Sequence, residues 1–113
     1  MSEEIEKALV LHRQLRNVLE LHAGGRKNSK ALQRVRGLCT EVSGMAPDLF
    51  CKDRIAQIQN IADSLFGDRK RWTQEDTESI HLLRHRAYTA LDEVGRRLHL
   101  TLVVHRNKTI PAD

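Results

Sequence analysis

Aromatic residues are scarce in this chain: one Trp, one Tyr and two Phe among 113 residues. Proteins that grip single-stranded nucleic acid stack successive bases on aromatic rings, so little of that surface is on offer here. Cysteine is scarcer still. Cys39 and Cys51 are too few and too widely set for the disulfide framework of a secreted domain, and both fall inside helical apolar patterns, which points to a reducing, cytoplasmic setting. No apolar run approaches the roughly 18 residues of a membrane-spanning helix. The opening Met1-Ser2-Glu3-Glu4 is acidic where a secretory leader would be basic, so the chain is expected to stay where it is made.

The groupings that carry catalysis are missing as well. Gly24-Gly25-Arg26-Lys27-Asn28-Ser29 lacks the leading glycine and four-residue spacer of a phosphate-binding loop and follows a helix where such a loop follows a strand. A thiol nucleophile needs a polar or cationic setting to ionise, whereas both cysteines lie on or beside apolar stripes and read as small core residues. The chain is not expected to be an enzyme, and no cofactor is implied.

What remains is apolar residues, 40% of the chain, placed with helical period. Ser2 offers an N-cap with Glu3, Glu4 and Glu6 behind it, and Ile5, Ala8, Leu11, Leu15, Val18 and His22 then recur three and four residues apart until Gly24-Gly25. A second helix is capped by Asn28 or Ser29 and carries Ala31, Leu32, Val35, Leu38, Cys39 and Val42; Gly37 weakens it, and Gly44 with Pro47 keeps it short. A third has Pro47 in its first turn, a stripe of Leu49, Cys51, Ile55, Ile58, Ala62 and Leu65, and an end at Gly67. After the basic connector Asp68–Trp72 and an approximate capping box at Thr73–Asp76, a fourth helix places Ile80, Leu83, Ala87, Leu91, Val94 and Leu98 on one face. Leu100–Val104 is rich in β-branched residues and either continues that helix or forms a short C-terminal strand. Residues 105–113, closed by Pro111, read as a loose tail. The expectation is an all-α chain, one domain over residues 1–113, built as a small antiparallel bundle of about four helices.

Helix one has more large aliphatic residues than one stripe holds. Leu11, Leu15 and Val18 are joined by Leu9, Val10, Leu19 and Leu21 beside or behind them, and Leu82 projects from helix four nearly opposite Ile80. A second buried surface would account for the surplus, and a homodimer is the commonest way to supply one. These residues are therefore the expected partner or dimer surface. The function read from them is a non-catalytic regulatory module of adaptor or antiactivator type, which covers a surface of another protein such as a transcription regulator.

Two other readings come from charged groups. The 19 basic residues, 13 of them Arg, exceed the 15 acidic ones, and they cluster at Arg26, Lys27, Lys30, Arg34 and Arg36 and again at Arg69, Lys70 and Arg71. Either cluster offers phosphate contacts to a nucleic acid, although the connection between helices two and three is too long for a helix-turn-helix. Glu78, His81 and His85 share one face of helix four and make a candidate metal site. That pattern lacks both the Glu that follows the first His of zinc proteases and the second Glu-x-x-His of a di-iron bundle.

Overall fold

The computed structural model describes residues 2–22, 24, 26–67 and 76–109, and of these the side chains of all but 2, 76–78 and 105–109. Four helices account for nearly all of it: α1 (Ser2–Leu21), α2 (Ser29–Met45), α3 (Leu49–Phe66) and α4 (Asp76–Thr109). Each packs on its two neighbours in a ring, α1 on α2, α2 on α3, α3 on α4 and α4 on α1, with no close backbone approach between diagonal pairs among the described residues. This is a small all-α bundle with a single core.

The helix ends follow from local chemistry. Asn28 Oδ1 accepts the Ala31 N–H at 3.1 Å and Asp48 Oδ1 accepts the Cys51 N–H at 2.9 Å, so each caps the helix after it. Because Asp48 is the cap, Pro47 sits just before α3, not in its first turn. In the connector after α1, Gly24 takes a left-handed backbone with φ +84°, and a Cβ there would press on Leu65 Cδ2 at 2.9 Å. The connector it belongs to is tied down on both sides. Asn28 N–H donates to the Phe66 carbonyl at 2.9 Å, Arg84 Nη1 donates to the His22 carbonyl at 2.6 Å, and the His22 ring meets Phe66 edge to face.

The core contains most of each expected stripe: Ile5, Ala8, Leu11 and Leu15 from α1; Ala31, Val35, Leu38, Cys39 and Val42 from α2; Ile55, Ile58, Ala62 and Leu65 from α3; Ala87, Leu91, Val94 and Leu98 from α4; Leu19 and Phe66 join them, while Val18, Leu32, Ile80 and Leu83 are only partly buried against it. Other expectations change, and the open choice between helix and strand at Leu100–Val104 is decided. Leu49 is 81% exposed, since it lies about 200° around the helix from Cys51 and cannot share its face. Leu100–Val104 is α-helix, as are residues 105–109, because α4 runs unbroken to Thr109. The strand and the start of the loose tail give way to a helix whose backbone bonds and buried Leu102 outweigh a weak β preference. Thr73–Glu75 and residues 110–113 lie outside the described residues.

Helix α2 has 17 residues and is not short. Gly37 stands on its exposed side, and the space a methyl group would fill there is open, with nothing within 4 Å. The glycine therefore costs helix propensity without breaking the helix. Gly37→Ala is expected to raise stability by about 0.5–1 kcal/mol in urea denaturation, through the lower chain entropy of the unfolded state. A neutral or destabilised variant would show that the small side chain has a packing role.

Polar contacts stitch each seam of the ring. Arg34 donates to Gln14 across α1 and α2, and Arg36 to Asp63 across α2 and α3. Across α3 and α4, Arg54 binds Glu93 at 2.7 Å, and the Phe50 ring lies between the guanidinium groups of Arg54 and Arg97, 4.6 and 4.7 Å from its centroid. Across α1 and α4, Arg16 pairs with Asp92, Tyr88 is flanked by Arg16 and Arg84, and His12 Nε2 lies 2.6 Å from the Leu91 carbonyl.

Candidate functional site

Helix α1 does not present the surface expected of it. Leu11, Leu15 and Leu19 are core residues, while Leu9 and Val18 are half-buried and pack against that core. Only Val10 and Leu21 are exposed, at 52% and 78%. The surplus has a simple cause: a helix in a ring is covered by two neighbours, α2 and α4, and so buries a far broader arc than one stripe. Val10 and Leu21 stand eleven residues apart with Asn17 between them and Arg13 beside, which leaves that face mostly polar.

The exposed apolar surface lies on α4. Of the seven large apolar side chains exposed among the described residues, four are there: Leu82, Leu100, Val103 and Val104. Leu82 and Leu100 are 18 residues apart, five full turns, so they point the same way about 27 Å apart. Leu82 is legible as an outlier in the sequence; the other three are hidden by the ambiguity over helix or strand in that stretch. The signal that finds them is a second, outer periodicity. Leu82, Arg86, Thr89, Glu93, Arg96, Leu100 and Val103 step by four and three, a heptad seam on the side away from the core.

Beside this seam runs a groove between α3 and α4. Its wider part, of about 760 Å³, is lined by Arg54, Gln57 and Ile61 from α3 and by Leu82, Arg86 and Glu93 from α4. A smaller hollow of about 320 Å³ continues past Glu93 to Phe50, Arg96 and Leu100. The charges in it are unevenly satisfied. Glu93 is bound by Arg54, and Asp92 on the neighbouring face by Arg16. Arg86 and Arg96 are exposed and have no bonding partner among the described residues.

The basic clusters divide. Arg36 is paired with the Asp63 carboxylate, whereas Arg34 gives one bond to the neutral Gln14 amide and keeps its charge on an exposed face. Arg26, Lys27 and Lys30 surround the N-terminus of α2 and are exposed. Arg69, Lys70 and Arg71 lie outside the described residues. In the candidate metal site, His81 and His85 are exposed on α4 and the Glu78 side chain lies outside the described residues. Among the described residues no group of three or more His, Cys, Asp or Glu side chains is placed to hold a metal ion, and no helix is long and apolar enough to cross a membrane.

Both cysteines are buried in the bundle. Burial pushes the Cys39 thiol up to about 12, with the Asp63 carboxylate adding to it. It does the same for Cys51, also to about 12, with Asp48 adding to it. Neither supplies a thiolate at neutral pH. Labelling of the folded protein with a thiol-disulfide reagent at pH 8 is therefore expected to be at least about a hundredfold slower than in denaturant, limited by opening of the bundle. Labelling of the folded protein at the rate of the unfolded chain would show one of them to be accessible.

No family model, curated protein or solved structure matches the chain.

Proposed function

We propose that this protein is a non-catalytic, cytoplasmic interaction module of adaptor or antiactivator type, which binds another protein along the outer side of α4 and the adjoining α3–α4 groove. The observation that carries this reading is the gathering of Leu82, Leu100, Val103 and Val104 on one helix, beside a long groove, while Val10, Leu21 and Leu49, the other exposed large apolar side chains among the described residues, are scattered over α1 and α3. Single exposed leucines are ordinary, but an aligned set is what a partner helix uses for anchorage. A homodimer through α1 has less to recommend it, since a second copy there would cover only Val10 and Leu21.

The test is a photo-crosslinking amino acid placed at Leu82, Leu100, Val10 or Leu21, one at a time, in the native host. The expected result is one discrete heterologous adduct from the two α4 positions and none from the two α1 positions. Adducts confined to Val10 and Leu21 would return the surface to α1, and the absence of any α4 adduct would sink the proposal.

A further inference from the structure

We infer that the partner segment taken by the α3–α4 groove is an acidic amphipathic α-helix of about 18–21 residues, lying along the seam from Leu82 to Val103; this rests on the interaction reading above and adds the chemistry of the occupant. Spacing sets its length and form. Seam positions alternate by four and three residues from Leu82 to Val103, over about 32 Å, which is the register in which one helix lies along another. The ends of the seam are apolar, Leu82 at one and Leu100 with Val103 at the other, so the occupant needs apolar residues near both of its ends.

Charge then selects the kind of helix. The acids near the seam are already neutralised within the chain, Glu93 by Arg54 and Asp92 by Arg16, whereas Arg86 and Arg96 carry uncompensated charge between the apolar ends. A helix with Glu or Asp flanking its apolar stripe places acid against both guanidinium groups, for which planar two-bond contacts are available. A second copy of this chain fits poorly. Antiparallel pairing of α4 with itself about its midpoint sets Arg86 against Arg96 of the other copy, and like charges across an interface are strongly disfavoured. Nucleic acid would use the arginines but leave Leu82, Leu100 and Val103 uncovered.

The probes are two three-heptad peptides of about 21 residues, with Leu at the core positions and either Glu or Lys at the flanking ones. Fluorescence anisotropy is expected to show binding of the Glu peptide and at least about tenfold weaker binding of the Lys peptide. The double variant R86E/R96E, whose sites are exposed and whose helicity is checked by circular dichroism, is expected to reverse that order. Leu82→Asp is expected to weaken both peptides. Equal binding of the two peptides, or indifference to R86E/R96E, would overturn the acidic occupant. So would displacement of the Glu peptide by a DNA duplex of about 20 base pairs, long enough to span the seam, or a concentration-dependent dimer abolished by Leu100→Asp. If the photo-adducts at Leu82 and Leu100 persist while the Glu peptide fails to bind, the interaction reading stands and the partner chemistry is wrong.

Discussion

Phe66→Ala is expected to cost about 3–5 kcal/mol, enough to leave a bundle of this size barely folded at 37 °C. Phe66 is only 1% exposed and is the largest fully buried side chain among the described residues. Its position compounds the loss. It closes the last turn of α3, where its ring meets the His22 ring edge to face at 6.1 Å and its carbonyl accepts the Asn28 N–H. Removing the ring leaves a cavity where the α1–α2 connector, the end of α3 and Arg84 of α4 come together, and none of these is free to collapse into it without breaking a hydrogen bond. Urea denaturation followed by circular dichroism measures the loss, and thermal melting should fall by more than about 10 °C. Phe66→Leu keeps most of the apolar volume and should cost less than about 1.5 kcal/mol. If Phe66→Ala costs under about 1 kcal/mol, the junction is looser than its contacts imply. Amide exchange at Asn28 supplies a local reading, since its protection should fall in the alanine variant before that of the α2 interior.

The junction around Phe66 also shows how far the sequence could be read. Four helices and most of their boundaries were legible because spacing by three and four is a local signal, and because Gly24 and Gly67 mark ends in the sequence itself. What a stripe does not encode is how many neighbours a helix has. Leu9 and Leu19 look like surplus on α1 if one covering helix is assumed, and they are accounted for once α2 and α4 both pack on it. The same limit applies to Leu49, whose apolar character suggests core although its angular position excludes it. For Val103 and Val104, β-branching points to a strand, but α4 is already nucleated and adding residues to a formed helix costs little. The candidate surface is harder to see than the fold. Its seam is made of Leu82, Arg86, Thr89, Glu93, Arg96, Leu100 and Val103, a mixture that hydrophobic periodicity alone passes over. Angular position sets these residues on the side of α4 away from the core stripe, and exposure in the folded chain shows that nothing within the bundle covers them.

Gly95→Ala should destabilise the protein by about 1–3 kcal/mol, although alanine is the better helix former by about 1 kcal/mol. The reason is His12. A Cβ at position 95 would stand 3.0 Å from His12 Cε1 and 3.1 Å from Nε2, so the ring would have to give way by a few tenths of an ångström. The ring is not free to swing aside, because Nε2 is 2.6 Å from the Leu91 carbonyl. That carbonyl can only accept, so Nε2 carries the hydrogen and donates it. Leu91 is one helical turn before Gly95, and the missing side chain at 95 is what lets an imidazole from α1 reach a carbonyl inside α4. The effect therefore reverses sign in a second background. With His12→Ala already present, Gly95→Ala meets no ring and should stabilise by up to about 1 kcal/mol, and a double-mutant cycle reports the difference as coupling. The same contact makes stability depend on pH. Burial is the main cause that lowers the His12 pKa below its ordinary 6.5, with Arg16 adding to it and the Leu91 bond and Asp92 acting in opposition. Between the unfolded value and the lower folded value the unfolded chain binds the extra proton, so this contribution is whole above pH 6.5 and is lost as pH falls through the folded pKa. Urea midpoints between about pH 7.5 and 5 should show that decline in the wild type and a flatter profile in His12→Gln, which keeps a donor and does not titrate. If the two profiles run parallel, His12 is not the group responsible; if Gly95→Ala has the same effect with and without His12, the packing account of the α1–α4 seam is wrong.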